Sequence, residues 1–232
     1  MVQKVFALLL AFAVTGTWIG MSAAQHQATG QVLRVYTATV LPDKRDQLPK
    51  IVDDFVQLLA TTKGLQWFKV GSDAATGEIV SVTLWNSQAE IEAFLKSDAR
   101  KASVEKNRPL MQGEPTAKNY QVSAAQSGTQ QLTTGHVLRV ITSTLLPDKR
   151  DQLPKITEEL TQLLAAAKGL LWFKVGSDAT TGENVAVQLW NSQAELEAFL
   201  KSDARKVVVE KTSPLMQGEP RARNYQISEA KK

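Results

Sequence analysis

Aromatic and charged side chains on predicted strands are the residues of this sequence best suited to chemistry. Trp67 and Phe68 are neighbours on an apolar segment, so one ring must face the helices while the other faces a partner sheet. Either ring could stack on an organic ligand or pack in the core. Arg34 lies among apolar residues, where an unpaired charge is costly. It therefore needs either a carboxylate partner or an acidic ligand.

Composition excludes several classes of site. The 232 residues include no cysteine and two histidines, which excludes thiol nucleophiles and Cys-ligated metal centres and leaves little material for a histidine site. No glycine-rich loop follows a strand, so phosphate and dinucleotide binding are not predicted. The net charge of +4 comes from interspersed residues rather than a basic block. We therefore expect no metal and no nucleic-acid partner.

The N-terminal segment has the pattern of a secretory signal peptide. Lys4 precedes the apolar run Val5–Val14, and Ser22 and Ala24 are small residues that suit a cleavage site. Residues 1–24 are therefore predicted to be removed near Ala24, which makes the mature protein periplasmic or secreted. The alternative is an uncleaved anchor, but polar and glycine residues interrupt the run before it reaches spanning length. We expect no stable membrane insertion after cleavage.

An internal repeat dominates the rest of the chain. The segment VLRVYTATVLPDKRDQLPKI from Val32 returns as VLRVITSTLLPDKRDQLPKI from Val137, and this interval is long enough for each copy to be a small domain. The polar, aperiodic segment Ala124–Thr134 is typical of a linker. We therefore predict a first domain at 25–123, a linker at 124–134 and a second domain at 135–232. Two like surfaces on one chain can pair around a pseudo-twofold axis.

Hydrophobic periodicity predicts the same elements in each copy. In the first copy, an apolar stripe over Leu48–Leu59 predicts a helix that ends at Lys63–Gly64. Gly77 supplies the positive φ expected in a hairpin turn, and Ser87–Glu90 fits a capping box that begins a second helical region. The predicted strands are Val32–Val40, Leu65–Val70, Val80–Trp85 and Ala117–Val122. The order β-α-β-β-α-β is that of a ferredoxin-like unit.

The segment EIVSVTLWNSQAEIEAFLKSDARK, Glu78–Lys101, and its partner ENVAVQLWNSQAELEAFLKSDARK, Glu183–Lys206, resemble the antibiotic-biosynthesis-monooxygenase (ABM) family. The resemblance covers essentially the whole mature chain. It implies an α+β fold in which two tandem ferredoxin-like (βαββαβ) units form an intramolecular dimeric α+β barrel, sheet against sheet, with the helices outside. It also implies that the two repeats pair with each other, and it leaves a further homo-oligomer open.

The same segments resemble the haem-degrading monooxygenases of that superfamily, but the catalytic positions of those relatives are not matched here. Their Asn, Trp and haem-ligating His align with Thr37, Phe94 and Val104, and in the second copy with Thr142, Phe199 and Val209. Without an imidazole at the third position the iron ligand is missing, so haem degradation is not expected. Antibiotic-type members need no cofactor, because an electron-rich phenol itself reacts with oxygen. The resemblance therefore implies no cofactor, and it identifies no catalytic residue.

The candidate ligand-binding residues are aromatic and hydroxyl side chains near the implied pocket. They are Thr37, Trp67, Phe68 and Phe94 in the first copy and Thr142, Trp172, Phe173 and Phe199 in the second. Each has an alternative structural role, since an aromatic ring can pack in the barrel interface and a threonine can bond its own backbone. Trp85 and Trp190 are expected to be packing residues at strand ends.

Some positions of interest hold the same residue in both copies, and others hold different residues. Arg34 and Arg139 are expected to form ion pairs with carboxylates across the barrel, the alternative being an acidic ligand. Tyr36 becomes Ile141 and Gln66 becomes Leu171. If these positions line pockets, the second pocket is the drier one.

We therefore expect an exported tandem ABM-like protein that binds a small apolar or aromatic organic molecule between sheet and helices. One alternative is a cofactor-independent monooxygenase acting on a phenol or quinol. Another is a non-catalytic structural or interaction module whose barrel is filled by side chains.

Overall fold

The computed structural model describes residues 30–126 and 135–227. The predicted signal peptide and most of the predicted linker lie outside these residues. The elements of the first copy are β1 (Val32–Thr39), α1 (Leu48–Ala60), β2 (Leu65–Asp73), β3 (Glu78–Trp85), α2 (Gln88–Lys96), α3 (Asp98–Asn107) and β4 (Thr116–Gln126). Those of the second copy are β5 (Val137–Thr144), α4 (Leu153–Ala165), β6 (Leu170–Asp178), β7 (Glu183–Trp190), α5 (Gln193–Leu200), α6 (Asp203–Thr212) and β8 (Arg221–Ile227).

Short 3₁₀ helices complete each copy. They span Pro42–Gln47 and Arg108–Leu110 in the first copy and Pro147–Gln152 and Ser213–Leu215 in the second. Each contains a proline in its first turn, where the missing backbone N–H costs no hydrogen bond. In the first copy, the 3₁₀ helix Pro42–Gln47 leads directly into α1.

Helix α1 packs its predicted apolar stripe against the sheet but ends earlier than expected. Ile51, Phe55 and Leu59 are buried on this face. The helix stops at Ala60 rather than at Lys63–Gly64, and the hydroxyls of Thr61 and Thr62 donate to the carbonyl of Leu58 at 3.1 and 2.8 Å. Threonine side chains that bond nearby carbonyls compete with the helical pattern. Gly64, with a φ of 79°, instead redirects the chain into β2.

The predicted turn and cap are present. Gly77 has a φ of 76° in the β2–β3 turn. Ser87 accepts a hydrogen bond from the Glu90 amide at 3.4 Å, while the Glu90 carboxylate accepts from the Asn86 amide at 3.0 Å. The carboxylate thus accepts a hydrogen bond from the residue before the N-cap, whereas in the standard capping box it accepts one from the N-cap itself.

The eight described strands close into one barrel in the order β1-β3-β2-β8-β5-β7-β6-β4. Each copy contributes four antiparallel strands, and the copies meet at two seams, β4 against β6 and β2 against β8. The predicted intramolecular dimeric α+β barrel is confirmed. One boundary differs, because Ala124–Gln126 of the predicted linker continues β4 and pairs with β6.

Strand alternation separates two apolar regions. Side chains that point into the barrel fill its interior and include Leu33, Val35, Val80, Val82, Tyr120, Leu138, Val140, Trp172, Val185 and Tyr225. The opposite face of each sheet packs on its own helices, around Phe55 in the first copy and Leu164 in the second. Among the described residues, no helix is long and apolar enough to cross a membrane.

Candidate functional site

A cavity of about 410 Å³ lies between the sheet and the helices of the second copy. This volume falls within the range of small-molecule sites in proteins. Strands β5, β7 and β8 form its floor, and α4 and α6 form its roof. Val209 and Glu219 also line it and are exposed, so the cavity opens to solvent at this edge.

The floor of the cavity is built in rows across three paired strands. Arg139 on β5 is paired with Gln188 on β7 and Asn224 on β8, and the next outward-facing row consists of Ile141 with Ala186 and Ala222. A third row pairs Ser143 with Asn184. Since strands rise about 3.3 Å per residue, the first and third rows lie about 13 Å apart. The floor is therefore polar at both ends and apolar in the middle.

The roof of the cavity is mostly apolar. Leu153, Ile156 and Leu160 line the cavity from α4, and Val208 lines it from α6. Thr157 on α4 is a buried polar exception. A ligand body between roof and floor would thus contact mainly hydrocarbon.

The matching region of the first copy is filled by its own side chains. A cavity lined by Arg34, Tyr36, Phe55 and Arg100 has a volume of about 20 Å³, which is room for about one water molecule. The rings of Tyr36 and Phe55 pack with their centroids 5.7 Å apart, and the Arg100 guanidinium lies 5.7 Å from the Tyr36 centroid. The second copy has Ile141 and Leu160 at the positions of Tyr36 and Phe55. Two rings that fill the first copy are therefore absent from the second.

Two guanidinium groups face the polar end of the cavity. Arg139 and Arg205 are both half-buried and line it together. Burial, and then the Arg205 charge, lower the pKa of Arg139. Arg139 Nη1 donates to Asn224 Oδ1 at 2.7 Å, and Arg205 Nη1 donates to the Leu200 carbonyl at 3.3 Å. Both partners are neutral.

The expected ion pairs of the strand arginines across the barrel are wrong. Arg34 and Arg139 point toward the helices, away from the barrel interior, and each donates to an asparagine oxygen, Asn119 or Asn224, at 2.7 Å. Within residues 30–126 and 135–227, neither arginine forms a salt bridge with a carboxylate. An asparagine satisfies guanidinium donors without bringing a counter-charge, so the positive charge remains available.

Gln188 lies beside Arg139 and is 3% exposed. Its Oε1 accepts a hydrogen bond from Trp190 Nε1 at 3.1 Å. Because an indole N–H can only donate, this contact fixes the oxygen toward Trp190. The amide NH₂ of Gln188 is then the part that remains for the cavity.

The candidate tryptophans lie inside the barrel, not in the cavity. Trp67 and Trp172 meet edge to face with ring centroids 4.5 Å apart, and they pack with the interior cluster. Their strand neighbours Phe68 and Phe173 face the helices and join the helix-side clusters. One ring of each pair therefore faces the helices and the other the partner sheet, as the sequence requires.

The remaining candidates are divided between the two sides of the sheet. Thr37 is on the barrel side and its hydroxyl lies 2.6 Å from that of Thr116, and Thr142 occupies the equivalent position of β5. Phe94 lines the small space of the first copy, and Phe199 lines the cavity of the second. Of the eight listed ligand-binding candidates, Phe199 is thus the one that lines the large cavity. Whether any of the eight contacts a ligand stays a prediction.

The strand-end tryptophans have the packing role that the sequence indicates. Trp85 and Trp190 are fully buried, and their rings lie 5.3 Å from Phe94 and 4.9 Å from Phe199. They support the helices that flank the two pockets.

Sequence reasoning missed Leu160, Arg205 and Gln188 as parts of the site. The signal was present in the comparison of the copies, where Phe55 becomes Leu160 and Thr83 becomes Gln188. Tyr36 and Ile141 do line the two spaces, whereas Gln66 and Leu171 line neither. In the described part of the chain, no group of three or more acidic or histidine side chains could hold a metal ion.

Residues 32–106 and 137–211 each match the sequence model of the antibiotic biosynthesis monooxygenase family. The two matches together cover more than half of the chain, one in each copy. No curated protein matches the sequence.

Solved structures share the fold at low sequence identity. A proposed monooxygenase from Fusobacterium nucleatum is 13% identical with a TM-score of 0.74, over 86% of this chain and 93% of that one. A proposed monooxygenase from Lactobacillus acidophilus is 11% identical with a TM-score of 0.65, over 86% and 93% of the two chains. An anthrone oxidase-like protein is 16% identical with a TM-score of 0.63, over 86% and 92%. Each similarity spans both copies.

Proposed function

Since the chain belongs to the antibiotic biosynthesis monooxygenase family, we propose that it binds a small, largely apolar organic molecule in the cavity of its second copy. One observation carries this proposal. The cavity at the strand arginine has a volume of about 20 Å³ in the first copy and about 410 Å³ in the second. The first copy demonstrates that this fold can fill the space with side chains, so the open space is a specific property of the second copy.

The walls of the cavity indicate the character of the ligand. Ile141, Leu160 and Val208 present hydrocarbon to its middle, and burial of an apolar ligand there gains about 25 cal/mol per Å² removed from water. On the floor, the polar groups lie at the two ends. An aromatic or aliphatic body with a polar substituent fits this pattern.

We further propose that the protein binds this molecule after export to the periplasm or the medium. The support is the pattern of residues 1–24, with Lys4 before an apolar run and Ala24 at the predicted cleavage site. N-terminal sequencing of the protein from the envelope and medium fractions tests this. A mature chain that begins near Gln25 is expected, and an intact N-terminus on all of the protein would contradict it.

The test of ligand binding exchanges the residues that differ between the copies. The probe is 2-naphthylmethanol, a neutral aromatic compound, titrated calorimetrically into the full chain without its signal segment. The Ile141→Tyr/Leu160→Phe variant places the filling residues of the first copy into the second. It is expected to weaken probe binding by about tenfold or more, because Tyr and Phe occupy the space.

The matched control makes the reverse exchange in the first copy. The Tyr36→Ile/Phe55→Leu variant leaves every wall of the second-copy cavity unchanged, so it is expected to retain the wild-type site. Absence of binding by the wild-type protein of both this probe and its carboxylate analogue, 2-naphthoate, would overturn the proposal. Equal binding by the wild-type and filled variants would overturn the location.

A second candidate function is a cofactor-independent monooxygenase that acts on a phenol or quinol. The family that both copies match favours it. Oxygen uptake with 1,4-naphthoquinol tests it, with the filled variant as control. Turnover that the Ile141→Tyr/Leu160→Phe variant lacks would make the cavity an active site, and uptake no faster than without protein would leave binding alone. The filled barrel interior matches the structural-module alternative, but the cavity lies outside that interior.

A further inference from the structure

We propose that the ligand of the second-copy cavity is a monoanion, the carboxylate of a small organic acid, held between Arg139 and Arg205 with its apolar body along Ile141. This inference rests on the proposed function and specifies its chemistry. Three observations support it, and each concerns a different group at the same end of the cavity.

The first observation is the pair of cations without a counter-charge. Arg139 and Arg205 come from a strand and a helix and line one cavity. Two half-buried guanidinium groups repel each other, and a shared anion would stabilise both. The only carboxylate that lines the cavity is Glu219, which is exposed and forms no salt bridge within the described ranges.

The second observation is the contrast with the first copy. Arg100, the equivalent of Arg205, lies over the ring of Tyr36, 5.7 Å from its centroid. Its positive charge is therefore stabilised by a cation–π contact within the fold. Ile141 replaces Tyr36 in the second copy and offers no such face. The exchange of Tyr36 for Ile141 therefore removes the aromatic contact that the equivalent guanidinium has in the first copy.

The third observation is the neutral donor beside the arginines. Trp190 fixes the oxygen of Gln188 at 3.1 Å, which leaves the amide NH₂ of Gln188 for the cavity, next to Arg139. The first copy has Thr83 at this position. Guanidinium and amide N–H groups are donors that a carboxylate accepts.

The other walls of the cavity restrict the kind of molecular skeleton to which this carboxylate is attached. Beyond Arg139 and Gln188 the next floor row is Ile141 and Ala186, below Leu160. The anionic group therefore lies at one end of an apolar body. A carboxylate on an aromatic or aliphatic skeleton fits this order of groups.

The experiment compares 2-naphthoate with 2-naphthylmethanol, which share the ring system and differ in charge. Both are titrated calorimetrically into the full chain at about pH 7, where the carboxylic acid is ionised. We expect the wild-type protein to bind 2-naphthoate about tenfold more tightly. The Arg205→Gln variant should lose this preference and keep its affinity for 2-naphthylmethanol, while Arg205→Lys should retain part of it.

The matched control is Arg100→Gln in the first copy, which should leave both affinities unchanged. Equal wild-type affinities for the two probes, or a preference that Arg205→Gln retains, would overturn the carboxylate inference and leave the proposed function standing. If the Arg205→Gln variant bound neither probe, the carboxylate inference would also be overturned, since that result would indicate a structural role for Arg205. Failure of the wild-type protein to bind either probe would instead overturn the proposed function.

Discussion

At the scale of single residues, the two copies differ at two buried positions, one on α1 or α4 and the other on β3 or β7. Val56 and Ile79 are buried hydrocarbons in the first copy, and Thr161 and Asn184 replace them in the second. Thr161 Oγ1 and Asn184 Oδ1 are buried and have no hydrogen-bond partner among the described residues. A buried polar atom without a partner costs about 1–3 kcal/mol. The second copy therefore contains two buried polar atoms whose hydrogen-bonding capacity is unused, although Asn184 Nδ2 donates to the Gly182 carbonyl at 3.1 Å.

The cost at Thr161 can be measured by exchange with the first copy. Thr161→Val removes the unpartnered hydroxyl at nearly constant volume, so we expect the free energy of unfolding to rise by about 1 kcal/mol. Val56→Thr, the reverse change, should lower it by a similar amount. Urea titrations of both variants test this, and a Thr161→Val protein less stable than wild type would show that the hydroxyl has a partner.

At the scale of elements, the seams between copies depend on close backbone approach. Gly71 on β2 and Gly176 on β6 each face a strand of the other copy. A Cβ on Gly176 would lie 2.9 Å from Tyr120 Cβ and 3.0 Å from the Gln121 carbonyl oxygen. Both glycines are in extended strands, so their role is the space that they leave.

Alanine at Gly176 should separate β4 from β6. We expect Gly176→Ala to lower the free energy of unfolding by about 1–3 kcal/mol, because overpacking moves the backbone. Gly71→Ala should have a similar cost, since a Cβ there would lie 2.8 Å from Tyr225 Cβ and 3.1 Å from the Gln226 carbonyl oxygen. Urea titration of both variants measures these costs. Wild-type stability in Gly176→Ala would contradict the proposed steric requirement.

At the scale of the whole molecule, two tyrosine–glutamate hydrogen bonds join the copies. Tyr120 donates to Glu183 at 2.6 Å, and Tyr225 donates to Glu78 in the pseudo-symmetric position. Burial, followed by the neighbouring carboxylate, raises the pKa of both tyrosines. These hydrogen bonds therefore stabilise the barrel only while both phenols are protonated.

Alkaline solution should weaken the barrel through these tyrosines. In the unfolded chain they ionise near pH 10, whereas in the fold they keep their protons, so the unfolded state binds fewer protons above this pH. Stability is therefore full below about pH 10 and falls as the pH rises further. The Tyr120→Phe/Tyr225→Phe variant should be less stable at about pH 8 but lose less stability between about pH 10 and 11. Urea titrations at these pH values test this, and equal losses in both proteins would contradict it.

The sequence by itself determined the fold, because its signals are local and periodic. The stripe over Leu48–Leu59, the turn at Gly77 and the cap at Ser87 each act within a few residues, and the repeat at Val32 and Val137 indicates two equal units. Family resemblance supplied the pairing of those units. The end of α1 and the continuation of β4 into Ala124–Gln126 were missed, because the first depends on threonine hydroxyls and the second on a strand of the other copy.

Only the tertiary structure showed that the large cavity lies in the second copy and which side chains line it. From sequence, Trp67 and Phe68 could each face either side of the sheet, and the fold places the tryptophans of both copies in contact inside a filled barrel. The exchange of Tyr36 for Ile141 is visible in the sequence, but its consequence depends on Leu160, which lies on a different element. A cavity is the volume that several distant side chains leave unfilled, and the charges of Arg139 and Arg205 meet only when strand and helix pack together. Such properties belong to the packed molecule, so no local pattern encodes them.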